Sequence, residues 1–322
     1  MKKLFDINKV LNKKNKINYV KAKKVCLGNG EKDGLLFRVF IYLLLIILSY
    51  VFLEPLISMM FTSFMSPSDI IDPEVVYIPK AFTTNNYKVA LEIMKYWKAL
   101  INSIWFSGLL AVLQTVVSAF AGYAFARYEF KGKKFWYALL ILAFIIPIQV
   151  LIIPRRMIIS VIQKMFDVKI MSTVIPQITF ALLGQGVYST VLILIFINFF
   201  KQIPSSLDEA AVMDGATTFQ TFYHIILKLS APIIFTVFLF SFVWNWNDTT
   251  SMNFFLNGAV TLLPTQMGTF DALFGATASS SKTVEAYKNA GSMLSIAPLI
   301  ILYVFVQKRF VEGIENTGMT GQ

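Results

Sequence analysis

One polar island, residues 205–220, sits between two long apolar segments and reads Ser-Ser-Leu-Asp-Glu-Ala-Ala-Val-Met-Asp-Gly-Ala-Thr-Thr-Phe-Gln. It brings the carboxylates of Asp208, Glu209 and Asp214 together, with His224 just beyond. These groups are poorly suited to making or breaking bonds. His224 is the only histidine in the chain, which nearly excludes a Ser-His-Asp triad or a histidine-based metal site within one chain. No glycine run ending in Gly-Lys-Ser/Thr has the spacing of a phosphate-binding loop, so by that test the chain carries no ATPase of its own. Nothing in the sequence resembles an active site, and His224 reads as a surface or interface residue. The reading left for the island is mechanical.

Its local chemistry predicts two short helices meeting at a glycine. Ser206 and Glu209 have capping-box spacing, in which the hydroxyl accepts from the third helical N–H and the carboxylate reaches back to the cap N–H. Thr217 and Gln220 repeat the device. Between them Gly215 follows Asp214 where the first helix must stop, and glycine takes the left-handed conformation there without a side-chain clash. The expected object is a rigid elbow lying outside a bilayer.

A bilayer is implied because the rest of the chain cannot be soluble. Of 322 residues 56% are hydrophobic and only 15% are charged, with a mean hydropathy of +0.64. One soluble core cannot hide that much apolar surface. Several segments exceed the roughly 18 apolar residues that cross a bilayer as helix. The fold class expected is all-α, a polytopic membrane protein with six transmembrane helices.

In chain order, residues 1–38 form a basic tail in which Lys2, Lys3, Lys13, Lys14, Lys16, Lys21, Lys23 and Lys24 outweigh Asp6, Glu31 and Asp33. Such a bias marks the side that is not translocated. The tail is read as solvated, with anionic headgroups as the other possible partner, and its length argues against a removable signal peptide. Cys26, the single cysteine, excludes an internal disulfide. The first span runs over about 39–61 and contains Glu54-Pro55. An intramembrane carboxylate faces protein or water rather than lipid, so Glu54 lines a pathway or makes a structural hydrogen bond. Residues 63–98 read as a loop on the opposite face.

The second span, about 101–126, carries Ser103, Ser107, Ala111, Thr115 and Ala119 at four-residue spacing, and Ser118, Gly122 and Ala126 likewise. Small residues in such stripes let helices approach closely in lipid. Arg127, Lys131, Lys133 and Lys134 crowd the short connection that follows and mark it as cytoplasmic. The third span, about 135–153, carries Pro147 and ends near Pro154, so a kink or an early exit is expected, with Arg155-Arg156 following on the outer face. The fourth, about 178–200, includes Gly184 and Gly186 and leads into the elbow. The fifth begins between Ile225 and Pro232 and ends near Trp246, with Trp244 read as an interfacial anchor. Residues 249–289 read as an outer loop. The sixth, about 293–306, contains Pro298 and ends inside at Lys308-Arg309. The transmembrane domain thus covers 39–310, with a loop at 201–230, a tail at 311–322 and both termini cytoplasmic.

These residues also carry a resemblance. Glu209-Ala210-Ala211 followed by Asp214-Gly215-Ala216, then Ile225 and Pro232, is similar to the cytoplasmic loop of permease subunits of binding-protein-dependent ATP-binding-cassette importers. Asn102-Ser103, Ala121-Gly122-Tyr123-Ala124 with Arg127, Phe130-Lys131-Gly132, Pro147-Ile148-Gln149, Trp246-Asn247-Asp248, Leu263-Pro264 and the segment Gln307 to Gly313 resemble the carbohydrate subfamily, in particular the second permease of maltose-like and oligosaccharide transporters. The resemblance implies a type I importer permease at the cell membrane that is not itself an enzyme. Its partners would be a second permease in a heterodimer, two ATPase subunits and an extracytoplasmic solute-binding protein, with a saccharide as substrate. No cofactor would sit in this chain, since ATP and Mg belong to the ATPases. By the family pattern Glu209 pairs with a basic group on the ATPase, Ala210 and Ala211 allow close packing, and Asp214-Gly215 makes the bend.

Lys228 departs from the family, which has proline after Ile-x-Leu, and this predicts a less kinked entry to the fifth span. The segment 317–321 lacks the customary Ala and Lys, and Arg155-Arg156 replaces an apolar-aromatic pair. Those arginines would face an acidic saccharide or acidic groups of the binding protein, with lipid phosphate as the other reading. Candidates for the substrate path are Glu54, Arg155, Arg156, Asn247 and Asp248. An ion-coupled secondary transporter, a permease of the same class for a non-sugar solute and a membrane scaffold are the competing functions.

Overall fold

The computed structural model describes residues 34–75, 77–278 and 282–318. The basic tail up to residue 33, Cys26 with it, and residues 319–322 lie outside the described residues. The described part is all-helical apart from one isolated bridge between Met65 and Phe82. Three of its helices are long and apolar enough to cross a membrane: α1 (Leu35–Ser63), α4 (Tyr96–Arg127) and the stretch Thr283–Lys308 of α14 (Lys282–Gly318). Three further pairs pass the same test only if each bent pair counts as one span, which brings the total among the described residues to six.

The chain divides into two compact units, residues 34–62 with 77–78, and 63–75 with 79–318 where described. In the first, Tyr77 donates to Glu54 Oε1 at 3.2 Å. The carboxylate beside it holds the Tyr77 phenol above its ordinary pKa. Glu54 therefore has a structural hydrogen-bond partner. The apolar residues of α1 from Leu35 to Leu53 are largely exposed, as a surface that meets lipid or protein requires.

In the second unit α4 is the central post, and it packs chiefly against α8 (Ser189–Gln202) and α11 (Ala231–Asn247). The stripe of small residues is the reason. Ser103, Ser107, Ala111, Thr115, Ser118, Ala119 and Gly122 are all buried. At Gly122 a Cβ would collide with Phe196 Cβ and come within 3.2 Å of the Ile197 nitrogen. Three apolar clusters lie along this post. Ala119 and Tyr123 meet Phe196, Phe200 and Phe222 near its C-terminal end; Phe106 and Leu110 meet Ala181, Met252 and Leu256; Met94, Tyr96 and Ala99 meet Trp246, Phe270 and Ala290. Between the clusters a buried polar group crosses from α4 to α11, where Gln114 Oε1 accepts from Asn245 Nδ2 at 2.9 Å and from Ser241 Oγ. Without water to compete, such bonds tie helices together.

Several spans are broken, the third of them at the proline where a kink is expected. The third does not end near Pro154. It breaks earlier, at Ile146-Pro147, where α5 (Lys133–Ile145) and α6 (Ile148–Phe166) are bent by 108°. Pro147 fixes its own φ and has no N–H to continue the helical ladder, so this break has a plain cause. Pro154 is carried inside α6, and Arg155 and Arg156 are helical residues rather than part of an exit loop. The fourth is interrupted too, with α7 (Ile175–Leu182) separated from α8 by the turn that holds Gly184 and Gly186. A Cβ at Gly186 would overlap the Gln114 amide, so the turn is drawn against α4. The supposed loops at 63–98 and 249–289 contain helices as well: α2 (Pro67–Ile71), α3 (Asn85–Ile93), α12 (Thr249–Leu256) and α13 (Met267–Ala278).

Close approach at Gly122 makes a direct prediction. Gly122→Val overpacks the α4–α8 contact and costs about 1–3 kcal/mol, lowering the melting temperature of the detergent-solubilised protein by several degrees. Gly108→Ala, which meets nothing within 4 Å, leaves it unchanged. Tryptophan fluorescence during a thermal ramp reads both.

Candidate functional site

The elbow forms as two helices, α9 (Ser206–Met213) and α10 (Thr218–Leu229). Gly215 N donates to Val212 O at 3.0 Å and Ala216 N to Ala211 O at 2.9 Å. These are the paired bonds of a Schellman stop, and Gly215 sits at the left-handed position with φ +78°. A Cβ there would meet nothing within 4 Å. Glycine is therefore needed at 215 for backbone conformation and not for space. Beyond it the expected capping box is complete: Thr217 N donates to Gln220 Oε1 at 2.7 Å, and Gln220 N donates to Thr217 Oγ1 at 3.4 Å.

The other box does not form. Ser206 is the first helical residue and not the cap, because Pro204 sets the helix entry one residue earlier and Glu209 N donates to the Ser205 carbonyl at 3.1 Å. No side chain caps α9. That frees Glu209, which stands exposed with Ala210, Asp214 and Gly215. The two alanines separate in role, since Ala211 is buried against the protein while Ala210 faces out. His224 is exposed, with Nδ1 3.1 Å from the Gln220 carbonyl.

The elbow is tied to the central post by Arg127, which in the sequence stands out as a charge marker and as part of a family fragment but not as a clamp. Arg127 Nη2 donates to Ile203 O at 2.8 Å, and Arg127 Nε lies 3.2 Å from Asp208 Oδ2. Their side chains are 11% and 25% exposed, so water screens this pair less than an open surface pair. One guanidinium thus joins the end of α4, the end of α8 and the first turn of α9. Phe222 of α10 adds an apolar joint, its ring 4.7 Å from Tyr123 and 5.2 Å from Phe120. The local π-helical turn Phe222–Ile226 leads from that joint to Ser230, where α10 and α11 are bent by 79°. The less kinked entry expected from Lys228 is not found. Pro232 in the first turn of α11 accounts for a sharp restart without a proline at 228.

The substrate-path candidates fall into separate places. Asn247 and Asp248 stand at the end of α11 and line a cavity of about 560 Å³ with Gln149, Tyr188, Trp244 and Thr250. Arg155 lines an adjoining cavity of about 280 Å³, also bounded by Gln149 and Tyr188. Its Nη2 donates to Gln185 Oε1 at 3.0 Å and its guanidinium lies 5.0 Å over the Phe180 ring. Arg156 borders neither cavity and lies 6.0 Å over Phe254. Glu54 belongs to the first unit. Trp244 stacks on Phe240 at 5.4 Å and meets Tyr188 edge-on at 5.0 Å, so it is packed in protein and is not a bare interfacial anchor.

Residues 114–316 match the family model described as the binding-protein-dependent transport system inner membrane component. This chain belongs to that family. It is a permease component of an ATP-binding-cassette importer, a membrane transport subunit and not an enzyme, and it works with a partner permease, an ATPase and a solute-binding protein. The permease is 30% identical over 271 residues to a putative ABC transporter permease of Caldicellulosiruptor sp., covering 83% of this chain and 91% of that one. It is 25% identical over 286 residues to the arabinooligosaccharides transport system permease of Halalkalibacterium halodurans, covering 85% and 93%. It is 31% identical over 247 residues to the trehalose transport system permease of Mycobacterium tuberculosis, covering 76% and 84%. Its fold matches a chain of a bacterial ABC transporter involved in the import of the acidic polysaccharide alginate, with a TM-score of 0.66, 22% identity, and coverage of 85% of this chain and 96% of that one.

If Arg127 holds the elbow, Asp208→Asn and Arg127→Met each loosen it while leaving the spans in place. Each costs about 1–3 kcal/mol, the penalty for stranding a charged or polar partner, and each raises trypsin cutting at Lys201 or Lys228 several-fold. Restoring the pair as Arg127→Asp with Asp208→Arg recovers part of the protection, measured by limited proteolysis.

Proposed function

We propose that this permease pairs with a second, related permease to carry a saccharide inward, and that the elbow is where one of two ATPase subunits delivers its motion. ATP and Mg reside on those subunits, and the N- and C-termini face the cytoplasm on the elbow's side. The observation that carries the coupling reading is the elbow's construction. Its outer side presents Glu209, Ala210, Asp214 and Gly215, while its inner side is locked to α4 by Arg127 and Asp208. A body gripped from outside and bonded to a span from inside moves that span when it moves.

Within this reading Glu209 is the charge that pairs with a basic group of the ATPase. Ala210 gives the motor a flat, close contact, Ala211 lets α9 lie on the permease, and Asp214-Gly215 sets the angle between the two short helices. The saccharide reading draws its support from the relatives named for arabinooligosaccharides and trehalose. Asn247 and Asp248 stand with Arg155 around two adjoining cavities, which supports a substrate path there. Arg156 borders neither cavity and carries less of that path.

Glu209→Lys tests the coupling. The variant inserts and expresses normally, yet uptake falls at least about tenfold, the loss of roughly 1.4 kcal/mol of docking or more, and ATP hydrolysis no longer responds to the loaded binding protein. Uptake at the wild-type rate, or an ATPase that copurifies in detergent equally well after residues 206–216 are scrambled, rejects the elbow as the docking element.

A further inference from the structure

The larger cavity lies where the α5–α6 bend faces the end of α11. Its volume of about 560 Å³ falls within the range of small-molecule sites, about 300–1,000 Å³. Its two walls differ in chemistry. One is aromatic and held still: Trp244 is stacked on Phe240 with the ring planes 15° apart, and Tyr188 meets Trp244 at 62°. Tyr188 itself is kept at φ +50°, a backbone region that non-glycine residues seldom enter and that marks functional positions. The rest of the lining mixes apolar Phe144, Ile148, Ile152, Val187 and Val191 with the uncharged polar residues Gln149, Asn247 and Thr250, and Asn247 Nδ2 donates to Val243 O at 3.0 Å. Its one carboxylate, Asp248, uses Oδ1 as the cap of α12, accepting from Ser251 N at 2.9 Å, while Oδ2 is buried without a hydrogen-bond partner among the described residues.

We propose that this cleft is a saccharide subsite belonging to this chain, selective for a neutral sugar ring, with Trp244 and Tyr188 as the stacking platform and Gln149, Asn247 and Thr250 as partners for hydroxyls. The proposal rests on the saccharide reading above. A pyranose or furanose ring has an apolar C–H face, which suits an aromatic plane, and an equatorial rim of hydroxyls, which suits amides and alcohols that both donate and accept. A carboxylate would find no cation in this cleft. Arg155 stands in the adjoining cavity and is already bonded to Gln185.

The chain's single cysteine allows a clean test. In the complete transporter with Cys26→Ser, the Asn247→Cys variant is labelled with N-ethylmaleimide, and Met157→Cys, exposed on α6 away from both cavities, serves as the reference. The probes are trehalose, raffinose, arabinotriose and digalacturonate, each also measured for uptake by the same variants. A neutral sugar that is taken up slows labelling of the Asn247→Cys variant about tenfold, as when roughly nine in ten carriers are occupied, and leaves labelling of the Met157→Cys variant unaffected. In parallel Trp244→Ala lowers uptake of that sugar at least about tenfold while Trp244→Phe keeps most of it. Uptake without protection of the thiol introduced at position 247 overturns the subsite and leaves saccharide import standing. Uptake and protection by digalacturonate alone overturn the neutral class. Uptake of none of the probes rejects the saccharide reading and the subsite with it.

Discussion

Arg127 holds the working part of this permease together. A lever is useful only if it cannot slide over the body it moves, and the elbow has few means of attachment: α9 is eight residues long, buries only Ala211 and has no side-chain cap. An isolated helix of that length is not stable in water. What fixes it is one guanidinium that meets the carbonyl of Ile203 and the carboxylate of Asp208 from the last turn of α4. Arginine suits the position because its planar, always charged fork bonds in two directions at once, which an ammonium does less well. The same stretch of α4 carries Tyr123, which packs on Phe200 and Phe222. Polar clamp and aromatic joint therefore act on one short length of helix, and motion of α9 or α10 is felt by the post on which α8 and α11 are packed.

Much of this arrangement was legible because it rests on local chemistry. The Thr217–Gln220 box and the stop at Gly215 depend on residues within one turn of each other, and both formed as the sequence indicated. The small-residue stripe was equally readable, since the burial of Ser103 through Gly122 follows from helical spacing in lipid. The Ser206–Glu209 box failed for a reason of the same local kind, as Pro204 moved the helix entry back to Ser205. Long-range partners were not legible. Nothing in the spacing pairs Arg127 with Asp208, or Asn102 and Ser103 with Thr261 and Leu263, although the structure bonds the latter two pairs at 3.1 and 2.7 Å. The Ser103–Leu263 bond does join two fragments that the family resemblance picks out separately, which gives them a physical reason to occur together.

The cavity shows the same limit from the other side. Asn247 and Asp248 stand out by motif, whereas Gln149 enters only within a family fragment, Trp244 reads as an interfacial anchor and Tyr188 carries no sequence signal. Only the 108° break between α5 and α6 brings Gln149 to the end of α11. Pro147 marks a kink in the sequence, because its missing N–H interrupts the helical ladder, but nothing local shows that the bend faces the end of α11.

That break also explains why the cavity is where it is. Within the hydrocarbon layer, backbone released from a helix must be satisfied by protein or by water, since lipid offers nothing. Ile146 and Pro147 leave the ladder at the α5–α6 bend, and both line the adjoining cavity. The turn through Gly184 and Gly186 leaves it at the same wall, between α7 and α8. Two interruptions in separate spans thus open onto one cavity. Interrupted helices are how transporters place polar groups at membrane depth without exposing them to lipid. The residues that break the helices and the residues that line the cleft are consequences of one requirement, and α4, unbroken over 32 residues, is the element that lets the others be broken.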